Sequence, residues 1–192
     1  MNNYEVLISK EIQDNYSLYG KYLYYDFCKV INDIKQKCIH SYTHSEIFSI
    51  SIFNLSKNAS YNDYQCIIFT IETVRKNEYR MRGYLTPSGN QEYFADLTFH
   101  EDDGWLEIAD NYVKRPEMRN KGVGSIGMDC IKQFADKLGC IKIIGTKQPI
   151  PNTQEEMDKL MKFYAKNGFT QSNTSSKISF DMSTYRTGEK NK

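Results

Sequence analysis

Leu106-Glu107-Ile108-Ala109-Asp110-Asn111-Tyr112-Val113, followed by Arg119-Asn120-Lys121-Gly122-Val123-Gly124-Ser125, is the stretch on which the fold turns. The first run reads as a strand. Beyond it, Val123, Ile126, Gly127, Cys130, Ile131, Phe134, Ala135 and Leu138 recur at three- and four-residue spacing, which marks one face of a helix. A helix therefore starts at the glycines. The first amides of a helix lack intrahelical partners and carry about half a positive charge, so backbone alone binds a phosphate there when no side chain blocks its approach. Glycine at 122 and 124 removes that block.

Gly122-Val123-Gly124-Ser125-Ile126-Gly127 also satisfies G-x-G-x-x-G, a pattern with many chance matches. Its context is wrong for a dinucleotide. That fingerprint needs glycines hard against the strand end and an acidic residue about 20 positions on. Here Lys114 to Lys121 intervene, and the next strand, Cys140 to Lys147, ends in Gly-Thr-Lys. A nucleoside-triphosphate loop would place Lys and then Ser or Thr after its second glycine, whereas Gly124 is followed by Ser-Ile.

Arg119-x-x-Gly122-x-Gly124 resembles motif A of the GNAT superfamily of acyl-CoA-dependent N-acetyltransferases: Arg or Gln, two residues, Gly, one residue, then Gly or Ala. Phe163-Tyr164-Ala165-Lys166-Asn167-Gly168-Phe169 looks like the same family's motif B, a tyrosine shortly before Gly-Phe. The resemblance covers about Tyr93 to Ser183 well. From Ser45 to Glu92 it rests on strand pattern alone, and residues before Ser45 match nothing in it. One departure stands out: the family's usual Asn, seven residues before the tyrosine, is Met157 here. Asn152 lies farther upstream. It is read as a helix cap, alongside Thr153 with Glu156 completing a capping box.

Upstream, a helical stripe of Leu23, Phe27, Val30, Ile31, Ile34 and Cys38 predicts a helix from about Tyr16 to Ile39. Ile47 to Leu55 and Cys66 to Val74 read as strands separated by the polar loop Ser56 to Ser60. Glu78 to Leu85 and Glu92 to Phe99 follow, joined by the turn Thr86-Pro87-Ser88-Gly89-Asn90, and His100-Glu101-Asp102-Asp103-Gly104 leads into the strand ending at Val113. That strand, the glycine-led helix and Cys140 to Lys147 form a crossover, which makes the two strands parallel. After Pro149-Ile150-Pro151 comes a helix carrying Met157, Leu160, Met161, Tyr164 and Ala165, then a strand around Lys177 to Met182. The fold class is α/β (α+β). The resemblance implies the acyl-CoA N-acyltransferase fold: a mixed central sheet with an antiparallel N-terminal meander and helices on both faces. One domain is expected over residues 1–184, with residues 185–192 a frayed polar tail.

The net charge of +1 lacks the positive balance that nonspecific nucleic-acid binding requires, so no nucleic-acid partner is expected. No apolar run approaches the roughly 18 residues of a membrane span, and the start lacks a signal-peptide signature. A soluble, cytoplasmic protein without a membrane partner is expected. Cys28, Cys38, Cys66, Cys130 and Cys140 include no C-x-x-C pair, which fits reduced thiols. His40 and His44 would share a helix face, but no acid or cysteine is spaced to complete a metal site, so no metal is expected. The oligomeric state is not legible, and a homodimer stays open.

The resemblance implies that the amides of residues 121 to 125 bind the pyrophosphate of coenzyme A, with Arg119, Asn120, Lys121, Gly122, Val123, Gly124 and Ser125 as the binding segment. It also implies backbone amides near Tyr112 and Val113 for the thioester carbonyl, where the strand splays open. Lys114 and Arg115 read as a solvated basic loop. Glu107 occupies the position where some family members place a carboxylate base. Regular alternation puts Ala109 and Asn111 on its face and Asp110 on the other, an order that a bulge would change. Two readings of Glu107 stand: base, or ordinary strand residue paired across the sheet. Tyr164 is the implied hydrogen-bond donor to the departing thiolate, against the alternative of a core tyrosine on a helix. The implied activity is transfer of the acetyl group of acetyl-CoA to a small-molecule amine, or less favoured a protein amine. The alternative is a non-catalytic acyl-CoA-binding sensor.

Overall fold

The computed structural model describes residues 45–54, 64–86, 88–149, 152–171 and 175–189, together with Lys29, Asn32 and Asp33. The Tyr16–Ile39 helix, the Ser56–Ser60 loop, Cys28, Cys38, His40 and His44 fall otherwise outside the described residues. Five strands form an antiparallel meander: β1 Ser45–Asn54, β2 Tyr64–Arg75, β3 Glu78–Leu85, β4 Asn90–His100 and β5 Trp105–Val113. A 3-10 turn at Pro116–Met118 leads to α1, Val123–Lys137, and the chain crosses to β6, Lys142–Thr146, which pairs with β5 in parallel. Helix α2, Gln154–Lys166, the two-residue β7, Thr170–Gln171, and β8, Lys177–Asp181, follow. The sheet order is β1-β2-β3-β4-β5-β6-β8-β7.

Periodicity explains how the pieces seat. The stripe of α1 buries Val123, Gly127, Met128, Cys130, Ile131, Phe134 and Ala135 on a sheet face made by Phe69, Met81, Tyr93, Leu97, Leu106 and Ile143. Phe134 closes the far end, edge-on to Phe48 at 5.5 Å and Tyr79 at 4.9 Å. Lys132 is buried by its stem; its Nζ pairs with Asp129 at 3.1 Å and lies 4.9 Å over the Phe180 ring. On the opposite sheet face Ile68, Thr70 and Glu72 are also buried, with Glu72 paired to Arg82.

Residues 185–189, expected to belong to a frayed polar tail, are helical instead. Helix α3 runs Met182–Glu189. Arg186 holds it down, donating from Nε to Asp136 at 2.6 Å and from Nη2 to the Cys140 carbonyl at 2.9 Å, and Tyr185 packs on the core.

Alkaline pH should loosen this core. Burial pushes the Cys140 thiol from 9.0 up to about 11 and the Tyr93 phenol well above its usual 10.0. Below about 9 the thiol is protonated folded or unfolded, and its contribution is fully present. Between 9.0 and about 11 the unfolded chain releases that proton first, so stability falls as pH rises, and Tyr93 adds to the loss above about 10. Urea midpoints should therefore decline from pH 9 upward; a midpoint flat to pH 11 would refute this account.

Candidate functional site

Strands β5 and β6 pair only from Trp105↔Lys142 to Ile108↔Gly145. Beyond Ile108, β5 stays with β4 as far as Tyr93↔Val113, and its other edge opens away from β6. The sheet forks there. The cause is local: the β4 register steps from Leu97↔Ile108 to Asp96↔Asp110, which leaves Ala109 as an extra, bulged residue. A bulge bends the strand and reverses the alternation beyond it.

That reversal corrects the facing expected for Glu107. Asn111 lies on the helix face with Ile108 and Val113, while Glu107 shares the opposite face with Asp110 and Tyr112. Tyr112 is exposed and stacks on Phe94 at 5.1 Å. Glu107 is hydrogen-bonded across the hairpin to His100, Oε2 to Nε2 at 3.0 Å, and keeps an accessible carboxylate.

At the mouth of the fork, Gly122 is the N-cap of α1 at φ 91°, and Asn120 precedes it at φ 61°. No side chain caps this helix, and its first turn contains no acid. The first helical bond runs from Ile126 N–H to the Gly122 carbonyl, which leaves the amides of Val123, Gly124 and Ser125 without intrahelical acceptors. Helix α2 differs: Thr153 Oγ1 accepts from the Glu156 amide at 3.3 Å, while the Glu156 carboxylate goes to Lys159 at 2.7 Å, so half of the expected capping box forms. A Cβ on Gly122 would meet nothing within 4 Å, whereas one on Gly124 would lie 3.0 Å from Phe163 and 3.7 Å from Val113. Arg119, Asn120 and Lys121 are exposed around this turn.

Arg115 is occupied elsewhere. Its Nη2 lies 2.6 Å from Oε1 of Glu92, a carboxylate that is wholly buried at the start of β4, so the guanidinium serves the loop's own structure. Lys114 is exposed, and its amide bonds to the Glu92 carbonyl at 2.9 Å.

Tyr164 is buried in the fork. Burial raises its phenol above the usual 10.0; a hydrogen bond with Asn111 opposes that, and the charge of Asp110 adds to it. The phenol therefore holds its proton through neutral pH. Asn111 is fixed in turn by donating to Met128 Sδ at 3.1 Å. Neither Asn111 nor His100 stood out as a site residue in the sequence, although the bulge and the hairpin bring one to Tyr164 and the other to Glu107.

Neither a family model nor a curated protein matches the chain. Solved structures do. A nourseothricin acetyltransferase is 16% identical, covering 73% of this chain and 88% of its own, with a TM-score of 0.46. The spermidine/spermine N-acetyltransferase SpeG from Vibrio cholerae is 16% identical over 59% of this chain and 71% of its own, at 0.47. The paia N-acetyltransferase from Thermoplasma acidophilum, solved with coenzyme A, is 16% identical over 53% and 59%, at 0.42. The sheet itself is the stronger ground. An antiparallel meander that forks at a bulge, a glycine-led helix crossing to a parallel strand, and a tyrosine helix closing the fork give this chain the fold of the GNAT superfamily of N-acetyltransferases.

Proposed function

We propose that the protein is an acetyl-CoA-dependent N-acetyltransferase acting on a primary amine of a small molecule. One observation carries this reading: an uncapped glycine-led helix start, an open strand edge and a buried tyrosine hydroxyl converge on a single fork. The open space at Gly122 and the three unpartnered amides suit a diphosphate, so Arg119, Asn120, Lys121, Gly122, Val123, Gly124 and Ser125 would hold that end of coenzyme A. Val113 would present its backbone amide at the open edge to a carbonyl oxygen as it gains charge, whereas the alternation that sends the Lys114 amide to Glu92 also turns the Tyr112 amide onto β4. Acetyl-CoA, when bound, supplies an acetyl group activated as a thioester.

The chain's own residues manage protons. An alkylammonium of pKa about 10.4 costs roughly 4 to 5 kcal/mol to deprotonate at pH 7. Glu107, at the base of the fork with an accessible carboxylate, takes that proton directly or through water. Tyr164, kept protonated by burial, donates a hydrogen bond to the departing sulfur. Its phenol is a weaker acid than a thiol, so hydrogen bonding rather than full transfer is its role. A reducing, cytoplasmic setting suits Cys66, Cys130 and Cys140, which are buried and outside any disulfide. Among the described residues no helix is long and apolar enough to cross a membrane.

The test is release of free thiol from acetyl-CoA against a panel of polyamines, amino acids, aminoglycosides and peptides. At least one class should be acetylated, and Tyr164→Phe should lower kcat by roughly 10²-fold while acetyl-CoA affinity holds. Tight binding of acetyl-CoA with no thiol release by any amine would instead leave an acyl-CoA-binding module.

A further inference from the structure

We propose that His100 is a proton relay behind Glu107, an inference that rests on the acetyltransferase reading. His100 ends β4 and Trp105 begins β5, so the intervening turn sets imidazole opposite indole; the rings stack with centroids 3.6 Å apart and planes 16° apart. Glu107 comes two residues later on the same face, and its Oε2 lies 3.0 Å from Nε2 of His100. The imidazole is thus held by a ring on its face and a carboxylate at its edge. Glu107↔Ile144 and Ile108↔Gly145 are the last pairs before the fork opens, which places this dyad at the fork's base.

The chemistry explains why a carboxylate there gains from an imidazole. An alkylammonium titrates near 10.4, an imidazole near 6.5 and a carboxylate near 4.3, so the proton faces a gap of about four units to imidazole against about six to carboxylate. In the relay, the ammonium N–H bond breaks and a Glu107 oxygen takes the proton. The carboxylic acid passes a proton to Nε2 of the neutral ring. The resulting imidazolium, paired with the restored carboxylate, returns one proton to water, and the amine is left neutral to attack. His100 touches no reacting atom and acts through Glu107.

The charged groups facing the pair among the described residues are Asp110 beyond the bulge, Lys142 on β6 opposite Trp105, Asp181 and Lys177 on β8, and Glu78 on β3, which Arg75 meets at 3.9 Å. Asp96 on β4 is neutralised by Arg80 at 2.9 Å, and Glu101 in the turn lies 3.9 Å from Lys76.

Two measurements test the relay. First, kcat/KM against pH is recorded for wild type and His100→Gln with acetyl-CoA and the amine of the panel that turns over fastest. The acid limb should fall in the imidazole range in wild type and move down by at least one unit in the variant, with kcat at pH 7 reduced about tenfold and acetyl-CoA affinity unchanged. Second, proton NMR at fixed pH follows the imidazole in the free protein, where Glu107→Gln should shift the His100 ring resonances by changing the group at Nε2. An unmoved limb and kcat in His100→Gln, or ring resonances indifferent to Glu107→Gln, overturns the relay alone. Absence of thiol release by wild type with every amine overturns the enzyme reading, and the relay with it.

Discussion

Gly124→Glu is expected to abolish acetyl-CoA binding, with calorimetric affinity falling at least 100-fold. The substitution brings a carboxylate to the second residue of an uncapped helix, where three amides have no intrahelical acceptors. A helix start attracts negative charge, so the new side chain would cap those amides itself and repel an incoming diphosphate. Position 124 is also a packing point, because a Cβ there lies 3.0 Å from Cε2 of Phe163. Gly124→Ala separates the two effects: it carries the steric part alone, and the half-buried Phe163 ring needs to yield only a few tenths of an ångström. Alanine should therefore weaken binding modestly while glutamate removes it. Gly122→Ala offers a third contrast. Its Cβ meets nothing within 4 Å, but φ of 91° strains any L side chain, so it should cost on the order of 1 kcal/mol of stability without blocking the approach. A folded Gly124→Glu protein with wild-type affinity would remove the cofactor from this turn altogether.

Much of this site was readable because its backbone rules are local. Glycines before a helical stripe predict an open helix start, and a strand, that helix and a second strand predict a parallel crossover; α1 and the β5–β6 pair follow both rules. What could not be read depends on contacts distant in sequence. The bulge at Ala109 leaves no trace in Ala109-Asp110-Asn111, since adjacent polar residues fit either facing; only pairing with Asp96 and Leu97 on β4 reveals it. Because of that single extra residue, Asn111 reaches Tyr164 and Glu107 keeps company with Asp110. Helix α3 was hidden for a similar reason. Met182-Ser183-Thr184-Tyr185-Arg186 has little apolar periodicity, and its anchor, Arg186 on Asp136, spans fifty residues of chain. The His100–Glu107 contact lay closer to hand: a hairpin closing between His100 and Trp105 brings alternate residues of the two strands onto one face.

Gly127→Ala should destabilise the protein by roughly 1 to 3 kcal/mol, a fall in Tm of about 2 to 4 °C per kcal/mol for a domain of this size. A Cβ at Gly127 would lie 2.2 Å from both Cε2 and Cζ of Tyr93, far inside van der Waals contact. The ring is wholly buried and has little room to retreat. Phe69 meets it edge-on at 5.6 Å, and at Gly83 a Cβ would already come within 2.9 Å of Tyr93 Cβ and 2.8 Å of Ile67, so the β3 side is filled to the backbone. Alanine gains about 1 kcal/mol over glycine in a helix, which offsets only part of the overlap. Helix α1 must then shift outward, carrying the amides of Val123, Gly124 and Ser125 with it, so acetyl-CoA affinity should fall in parallel with stability. Tyr93→Leu in the same chain tests the cause: the shorter side chain relieves the overlap, and the double variant should be more stable than the two single losses added together. Tyr93→Phe alone should be neutral or stabilising, because the Tyr93 hydroxyl is buried with no hydrogen-bond partner among the described residues. A Gly127→Ala protein that melts with wild type would show that Tyr93 does not set the seat of α1.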